Sequence, residues 1–146
     1  MNKIYLGADH AGFKAKEKLK KHLSGYSPVD LTPEYKEGDD YPDVAFKVAE
    51  KVRKDKHAMG ILICGTGAGM VIAANKVKGI RAVEAYDKKT AELSREHNDT
   101  NMLALSGWNK TEKENNKIVD TWLKSDFSNE ERHRRRISKI SKYELK

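Results

Sequence analysis

Along the chain, short continuous apolar runs alternate with stretches whose apolar residues recur at helical spacing. Ile4-Tyr5-Leu6-Gly7-Ala8 is such a run, and it ends on Asp9-His10. Phe13, Ala15, Leu19 and Leu23 follow at roughly helical intervals, and Val29-Asp30-Leu31 reads as a weak second strand. After Pro42-Asp43, a plausible helix start, Val44, Ala45, Val48, Ala49 and Val52 form a clear helical stripe. Met59-Gly60-Ile61-Leu62-Ile63-Cys64 is the strongest strand signal, unbroken and closed by glycines, as suits a central parallel strand covered on both faces.

The second half repeats the alternation. Met70, Val71, Ala73, Ala74 and Val77 predict a helix, Ile80 to Tyr86 a strand, Asp87 to His97 a polar helix and Met102 to Leu105 a last strand. Two more helices close the chain, each with a capping-box pair: Thr111 with Glu114, and Ser128 with Glu131. The strand–helix order repeats five times, which predicts an α/β fold of Rossmann-like, three-layer α/β/α form. Its parallel sheet has about five strands. Residues 1–146 read as one domain, with a basic C-terminal helix over 128–146.

Charge and composition narrow the classes of function. The 146 residues carry 29 Lys+Arg against 22 Asp+Glu, a formal net charge of +7. Residues 127–146 hold seven of the cations and three of the anions, so +4 of the excess sits in the last helix. Such a tail suits nucleic acid, a membrane surface or a phosphorylated small molecule. No apolar run approaches the roughly 20 residues of a membrane-spanning helix, and the first residues read as a strand rather than a secretory leader. A single cysteine cannot form an internal disulfide, so a reducing, cytoplasmic compartment is expected.

In folds of this class ligands sit beyond the carboxyl ends of the strands. Three such ends are chemically loaded: Asp9-His10, Cys64-Gly65-Thr66-Gly67-Ala68-Gly69 and Ser106-Gly107. The glycine-rich stretch reads either as a tight turn or as a nest of backbone N–H groups for a phosphate or an oxyanion. It matches neither the dinucleotide fingerprint nor the Walker A loop. Cys64 is either a small buried hydrophobe or a thiolate base helped by the following helix and the Thr66 hydroxyl. Asp9 and His10 are a helix cap with a surface histidine, or holders of sugar hydroxyls and phosphate. His97-Asn98-Asp99-Thr100-Asn101 is a helix C-cap, or an acid–base histidine beside an amide donor. Arg132 and Arg136, four apart, share a helix face as a phosphate clamp or as plain surface charge. No aromatic interleaving supports a nucleic-acid patch.

Taken together, Asp9-His10-Ala11-Gly12, Asp40-Tyr41-Pro42, Ile63 to Gly69, Ala73-Ala74-Asn75-Lys76, Gly79-Ile80-Arg81-Ala82, His97 to Asn101 and Arg132-His133 with Arg136 resemble ribose-5-phosphate isomerase type B. That family is related to the galactose-6-phosphate isomerase subunits. The resemblance runs from residue 2 to about residue 140, and the joint occurrence of the seven segments is what makes it specific. It implies an isomerase that interconverts ribose 5-phosphate and ribulose 5-phosphate through a cis-enediolate, without metal or nucleotide cofactor. It also implies a homodimer or tetramer whose active sites are shared between chains, with no nucleic-acid or membrane partner.

Carried over residue by residue, the resemblance makes Cys64 the base, with Thr66 beside it, and His97 the group that opens the furanose ring. Asp9, His10 and Tyr41 contact the substrate. The backbone of Gly65, Gly67, Ala68 and Gly69, with Asn98, forms an anion hole, and Arg132 and Arg136 hold the phosphate. Members that lack the cysteine use a glutamate where this chain has Met70. Three departures stand out: Trp108 falls where the family usually has arginine, Thr32-Pro33 replaces a Gly-Thr, and Arg134-Arg135 adds charge. They leave open a six-carbon substrate such as allose or galactose 6-phosphate, or a non-catalytic binding module.

Overall fold

The computed structural model describes all 146 residues, Met1–Lys146. Five strands form one all-parallel sheet: β1 (Lys3–Ala8), β2 (Val29–Asp30), β3 (Ala58–Cys64), β4 (Ala82–Glu84) and β5 (Met102–Ser106), in the order β2-β1-β3-β5-β4. Every residue of β3 is buried, as expected for the central strand of a sheet covered on both faces. Six helices complete the chain: α1 (Phe13–His22), α2 (Tyr41–Arg53), α3 (Ala68–Ala74), α4 (Lys88–Asn98), α5 (Glu112–Lys124) and α6 (Glu131–Glu144).

The alternating pleat divides the core in two. Ile4, Leu6, Ile61, Ile63, Leu103 and Leu105 point to one face, where Leu19 of α1, Ala91 of α4 and Ile118, Val119 and Trp122 of α5 close over them. Tyr5, Leu62, Met102 and Ala104 point to the other, under Val44, Val48 and Val52 of α2 and Met70, Ala73 and Ala74 of α3. The helical stripe read over Val44–Val52 is therefore the buried face of α2, which starts with Pro42 in its first turn. Trp122 is fully buried, and its indole N–H is satisfied by the Thr100 hydroxyl at 2.8 Å. No helix is long and apolar enough to cross a membrane.

Some local expectations shift. The Thr111–Glu114 box forms with both bonds made. The Ser128–Glu131 box does not: the N-cap of α6 is Glu130, without a side-chain cap bond. Ser128 sets its hydroxyl on His133 Nδ1 at 2.7 Å and accepts the Glu130 N–H at 3.3 Å, one residue short of the Glu131 N–H that a box would use. The strand expected from Ile80 to Tyr86 is paired only over Ala82–Glu84, because as an edge strand it has one neighbour to pair with.

The strand order places the ends of β1, β3 and β5 side by side. From β1 the chain crosses to β2 on one flank, then returns to place β3 on the other, and β5 later inserts between β3 and β4. Crevices at such reversals are where ligands bind in open α/β sheets. Outside both layers lies α6. His133 is its only buried residue, and Ile140, Tyr143 and Leu145 are left exposed. Near its far end, Glu144 accepts a bond from the Gly79 N–H at 3.1 Å.

Candidate active site

The three loaded strand ends meet. Asp9 is buried, and its Oδ1 accepts from the Gly12 N–H at 3.0 Å, so the carboxylate caps the turn that leads from β1 into α1. Burial, more than any neighbour, pushes its pKa above the usual carboxylate value. Gly12 sits so close to β3 that a Cβ there would lie 2.1 Å from the Ile63 carbonyl oxygen. On the other flank the Gly107 N–H donates to the Cys64 carbonyl at 2.8 Å. Cys64 is thus wedged between the turns that follow β1 and β5.

His10 is anchored by Asp39, which the sequence motifs do not single out. Asp39 Oδ1 accepts the His10 backbone N–H at 2.7 Å and lies 3.1 Å from its Nδ1. The Asp39 bond raises the His10 pKa above the ordinary imidazole value. A cleft of about 520 Å³ opens beside this pair, but Glu34, Asp39, Asp40 and Asp43 line it and none of residues 64–69 does. With Lys36 and Lys47 also in its lining, the cleft keeps a net excess of two carboxylates, a poor match for a phosphate.

In the loop after β3 Cys64 is buried, and its Sγ accepts the Gly67 N–H at 3.1 Å. Gly67 has φ +94°, a left-handed conformation that a side chain would resist and that turns the chain into α3. The Thr66 hydroxyl is not on the sulfur: it accepts the Ala68 N–H at 3.3 Å and so closes the turn. The N–H groups of Gly65, Thr66, Gly69 and Met70 find no acceptor within the chain. Four free donors around one thiol can hold an anion or a developing oxyanion. Two aromatic rings border the loop. Tyr41 lies against Gly69 and Trp108 against Gly65, each so close that a Cβ on the glycine would come within 2.7 Å of the ring.

The remaining candidate residues form a second group. His97 ends α4, and its ring packs on that of His133, centroid to centroid at 4.4 Å. Burial, then the neighbouring His97 and Arg132, holds the His133 pKa below the usual imidazole value. Arg132 pairs with Glu130 at 2.8 Å, and Arg136 one turn later makes no ion pair with a carboxylate. Asn98 is exposed beside them, and the left-handed residue of the C-cap is Asp99, with φ +44°. Arg81, a residue with no assigned role in the sequence reading, grips this turn. It donates to the Asn98 carbonyl at 2.9 Å and to the Asp99 carbonyl at 2.7 Å, while Arg95 holds the Asp99 carboxylate at 2.9 Å.

These two groups lie at opposite rims of the sheet. Helix α4 runs back against the strands, so His97 and Asn98 sit where β5 begins, and the Asn101 carbonyl there accepts the Gly60 N–H from the start of β3. Cys64 is at the end of β3. At about 3.3 Å per residue, the seven residues of β3 separate the rims by about 20 Å. One chain therefore brings together Asp9, His10, Tyr41, Cys64, Thr66 and Gly65–Gly69. It brings together His97, Asn98, Arg132 and Arg136 elsewhere. No group of three or more His, Cys, Asp or Glu side chains converges as metal ligands would.

Known proteins share this architecture. Residues 4–140 match the family model described as Ribose/Galactose Isomerase. A probable ribose-5-phosphate isomerase B of Mycoplasma genitalium is 48% identical over 145 residues, covering 97% of this chain and 95% of that protein. The ribose-5-phosphate isomerase B of Mycobacterium tuberculosis is 39% identical, over 97% of this chain and 90% of its own length. Among solved structures, the Mycoplasma genitalium ribose-5-phosphate isomerase B with bound ribulose-5-phosphate superposes with a TM-score of 0.93 at 47% identity, covering 99% of this chain and 97% of that one. The type B enzyme of Trypanosoma brucei gives 0.93 at 39% identity, covering 98% and 99%. With its parallel sheet, its glycine-rich loop after β3 and matches of this length, the chain belongs to the ribose/galactose isomerase family.

Proposed function

We propose that the chain interconverts ribose 5-phosphate and ribulose 5-phosphate, in a site completed by a second copy of itself. The observation that carries this reading is the thiol of Cys64 set among four unpartnered backbone N–H groups at the sheet's carboxyl rim. Proton transfer next to a carbonyl needs a base and stabilisation of enediolate charge in one place. Cys64 as thiolate takes the proton from C2 of the open-chain aldose. The electron pair forms the C1–C2 double bond, and the charge that develops on O1 is held by the loop N–H groups. The same proton returns to C1 while the O2 hydroxyl proton passes to O1, which leaves the ketose. Each oxyanion donor contributes about 3–4 kcal/mol to such a step.

Ring opening and phosphate binding need His97, Asn98, Arg132 and Arg136, which one chain holds at the far rim. A two-fold pair of chains brings the far rim of one copy to the near rim of the other, and two-fold pairing is the commonest closed symmetry. The exposed Ile140 and Tyr143 of α6, with Leu145 just beyond it, offer apolar surface to such a partner. A free thiol as the working group fits a reducing cytoplasm.

The test is an isomerase assay across pentose and hexose phosphates with the wild type and Cys64→Ala. Ribose 5-phosphate is expected to give the highest kcat/KM, and the variant is expected to lose turnover while keeping its thermal midpoint. Wild-type turnover in Cys64→Ala removes the base, and a higher kcat/KM for allose or galactose 6-phosphate replaces the substrate.

A further inference from the structure

The loop after β3 owes its open N–H groups to the turn after β5. Two consecutive carbonyls are held on the same side: the Gly107 N–H donates to Cys64 O at 2.8 Å, and Gly65 O accepts from both Ser106 Oγ at 2.7 Å and Trp108 N–H at 3.0 Å. All peptide bonds are trans, so each N–H lies opposite the carbonyl of the residue before it. Anchoring the carbonyls of Cys64 and Gly65 toward β5 therefore turns the N–H groups of Gly65 and Thr66 away from it, and neither has a partner in the chain. A regular strand alternates its carbonyls from side to side; two on one side make the two-donor arrangement that binds anions.

Ser106 is built to do this. The residue is buried, its hydroxyl also accepts the Asn109 N–H at 2.9 Å, and its own carbonyl accepts Asn115 Nδ2 at 3.1 Å. The hydroxyl proton is thus committed to Gly65 O, its only acceptor. The Trp108 ring lies against Gly65, so the peptide is held by two hydrogen bonds on its oxygen and by a ring against its α-carbon.

We infer that Ser106 is a positioning residue of the isomerase, fixing the Gly65–Thr66 peptide so that the Thr66 N–H faces the oxygen that gains charge in the enediolate. The inference rests on the activity proposed above. It predicts a loss confined to the chemical step, because the phosphate and the sugar hydroxyls are held by other groups.

The test compares Ser106→Ala and Ser106→Thr with the wild type. In Ser106→Ala, kcat for ribose 5-phosphate is expected to fall by about tenfold to a hundredfold, with KM within about twofold. Ser106→Thr keeps the donor and is expected to recover most of kcat; this variant keeps the comparison meaningful even where Ser106→Ala folds poorly. A second arm needs no activity: in amide NMR spectra of the unliganded protein, Ser106→Ala is expected to move the Gly65 and Thr66 resonances and leave those of α2 in place. Wild-type kcat in Ser106→Ala, an equal loss in Ser106→Thr, or unmoved Gly65 and Thr66 resonances overturns the positioning role. A wild-type protein without isomerase activity overturns the proposed function, and the NMR arm still decides whether Ser106 sets the loop.

Discussion

Gly12→Ala is a steric experiment on the reactive loop, performed from behind. Gly12 has φ −97° and ψ −6°, which alanine adopts without strain. Its added methyl would nonetheless lie 2.1 Å from the Ile63 carbonyl oxygen, 2.4 Å from that carbonyl carbon and 2.9 Å from the Cys64 nitrogen. All three are backbone atoms of β3, which is buried along its whole length and cannot swing aside. Contacts under 3.0 Å are essentially never made by real Cβ atoms, so about 0.9 Å must open between the turn after β1 and the end of β3. Overpacking of this kind costs about 1–3 kcal/mol, offset by about 0.4–1 kcal/mol from the stiffer unfolded chain. A net loss of about 1–2 kcal/mol lowers the thermal midpoint by about 3–8 °C in a chain of this size.

The consequence for the proposed proton transfer is larger. Displacing reacting groups by about 1 Å costs on the order of a hundredfold in rate, and the displaced atoms include the Cys64 backbone. Calorimetry and an isomerase assay on Gly12→Ala read both effects. Gly25→Ala is the control, because nothing lies within 4 Å of its Cβ position, and its midpoint is expected to hold or rise slightly. A Gly12→Ala protein with wild-type midpoint and wild-type kcat refutes the reasoning.

Three further perturbations separate the structural and functional groups. Lys16 is fully buried, with its ammonium 2.8 Å from Asp30 and 4.3 Å from the centroid of Phe13; Lys16→Met is expected to cost about 2–3 kcal/mol in urea unfolding, short of the roughly 3–5 for a fully orphaned partner, because Lys20 also holds Asp30 at 2.8 Å. Arg136→Ala is expected to raise KM for ribose 5-phosphate by about tenfold to a hundredfold, the worth of one charged hydrogen bond, with an unchanged midpoint since Arg136 makes no ion pair; an unchanged KM removes it from the phosphate site. The His133 pKa is lowered on folding, so the unfolded chain binds more protons there and stability rises with pH across that window. Its contribution is complete above about pH 6.5 and is lost as pH falls below that value, which hydrogen exchange of α6 amides at pH 7.5 and 5.5 will register as weaker protection in acid, an effect absent in His133→Asn.

Much of this molecule is legible in its residues because the main signals are local. The unbroken run Met59–Cys64 could only be a central strand, and the Val44–Val52 stripe could only be one face of a helix, and both formed as read. The meeting of Asp9-His10, Cys64–Gly69 and Ser106-Gly107 follows from the rule that strand ends in parallel sheets share a rim. Less legible were contacts between residues far apart in sequence. Asp39 reaches His10 across 29 positions and Ser106 reaches Gly65 across 41, and neither leaves a periodic trace. Ser128 read as the start of a capping box from its spacing alone, but its hydroxyl takes the Glu130 N–H and the His133 ring instead of the Glu131 N–H. The opposed placement of Cys64 and His97 carried a signal in the sequence: one residue closes a strand, and the other closes the helix that leads into the next strand.

On the proposed two-fold pairing, that opposition makes Cys64 and His97 genetically separable. A chain lacking Cys64 still carries an intact His97 rim, and a chain lacking His97 still carries an intact Cys64 loop. In a two-fold pair built from one of each, both lesions fall in one site and the other is whole. Two inactive proteins, unfolded together and refolded as an equal mixture, would regain about a quarter of the wild-type sites by random pairing. Neither would regain any alone.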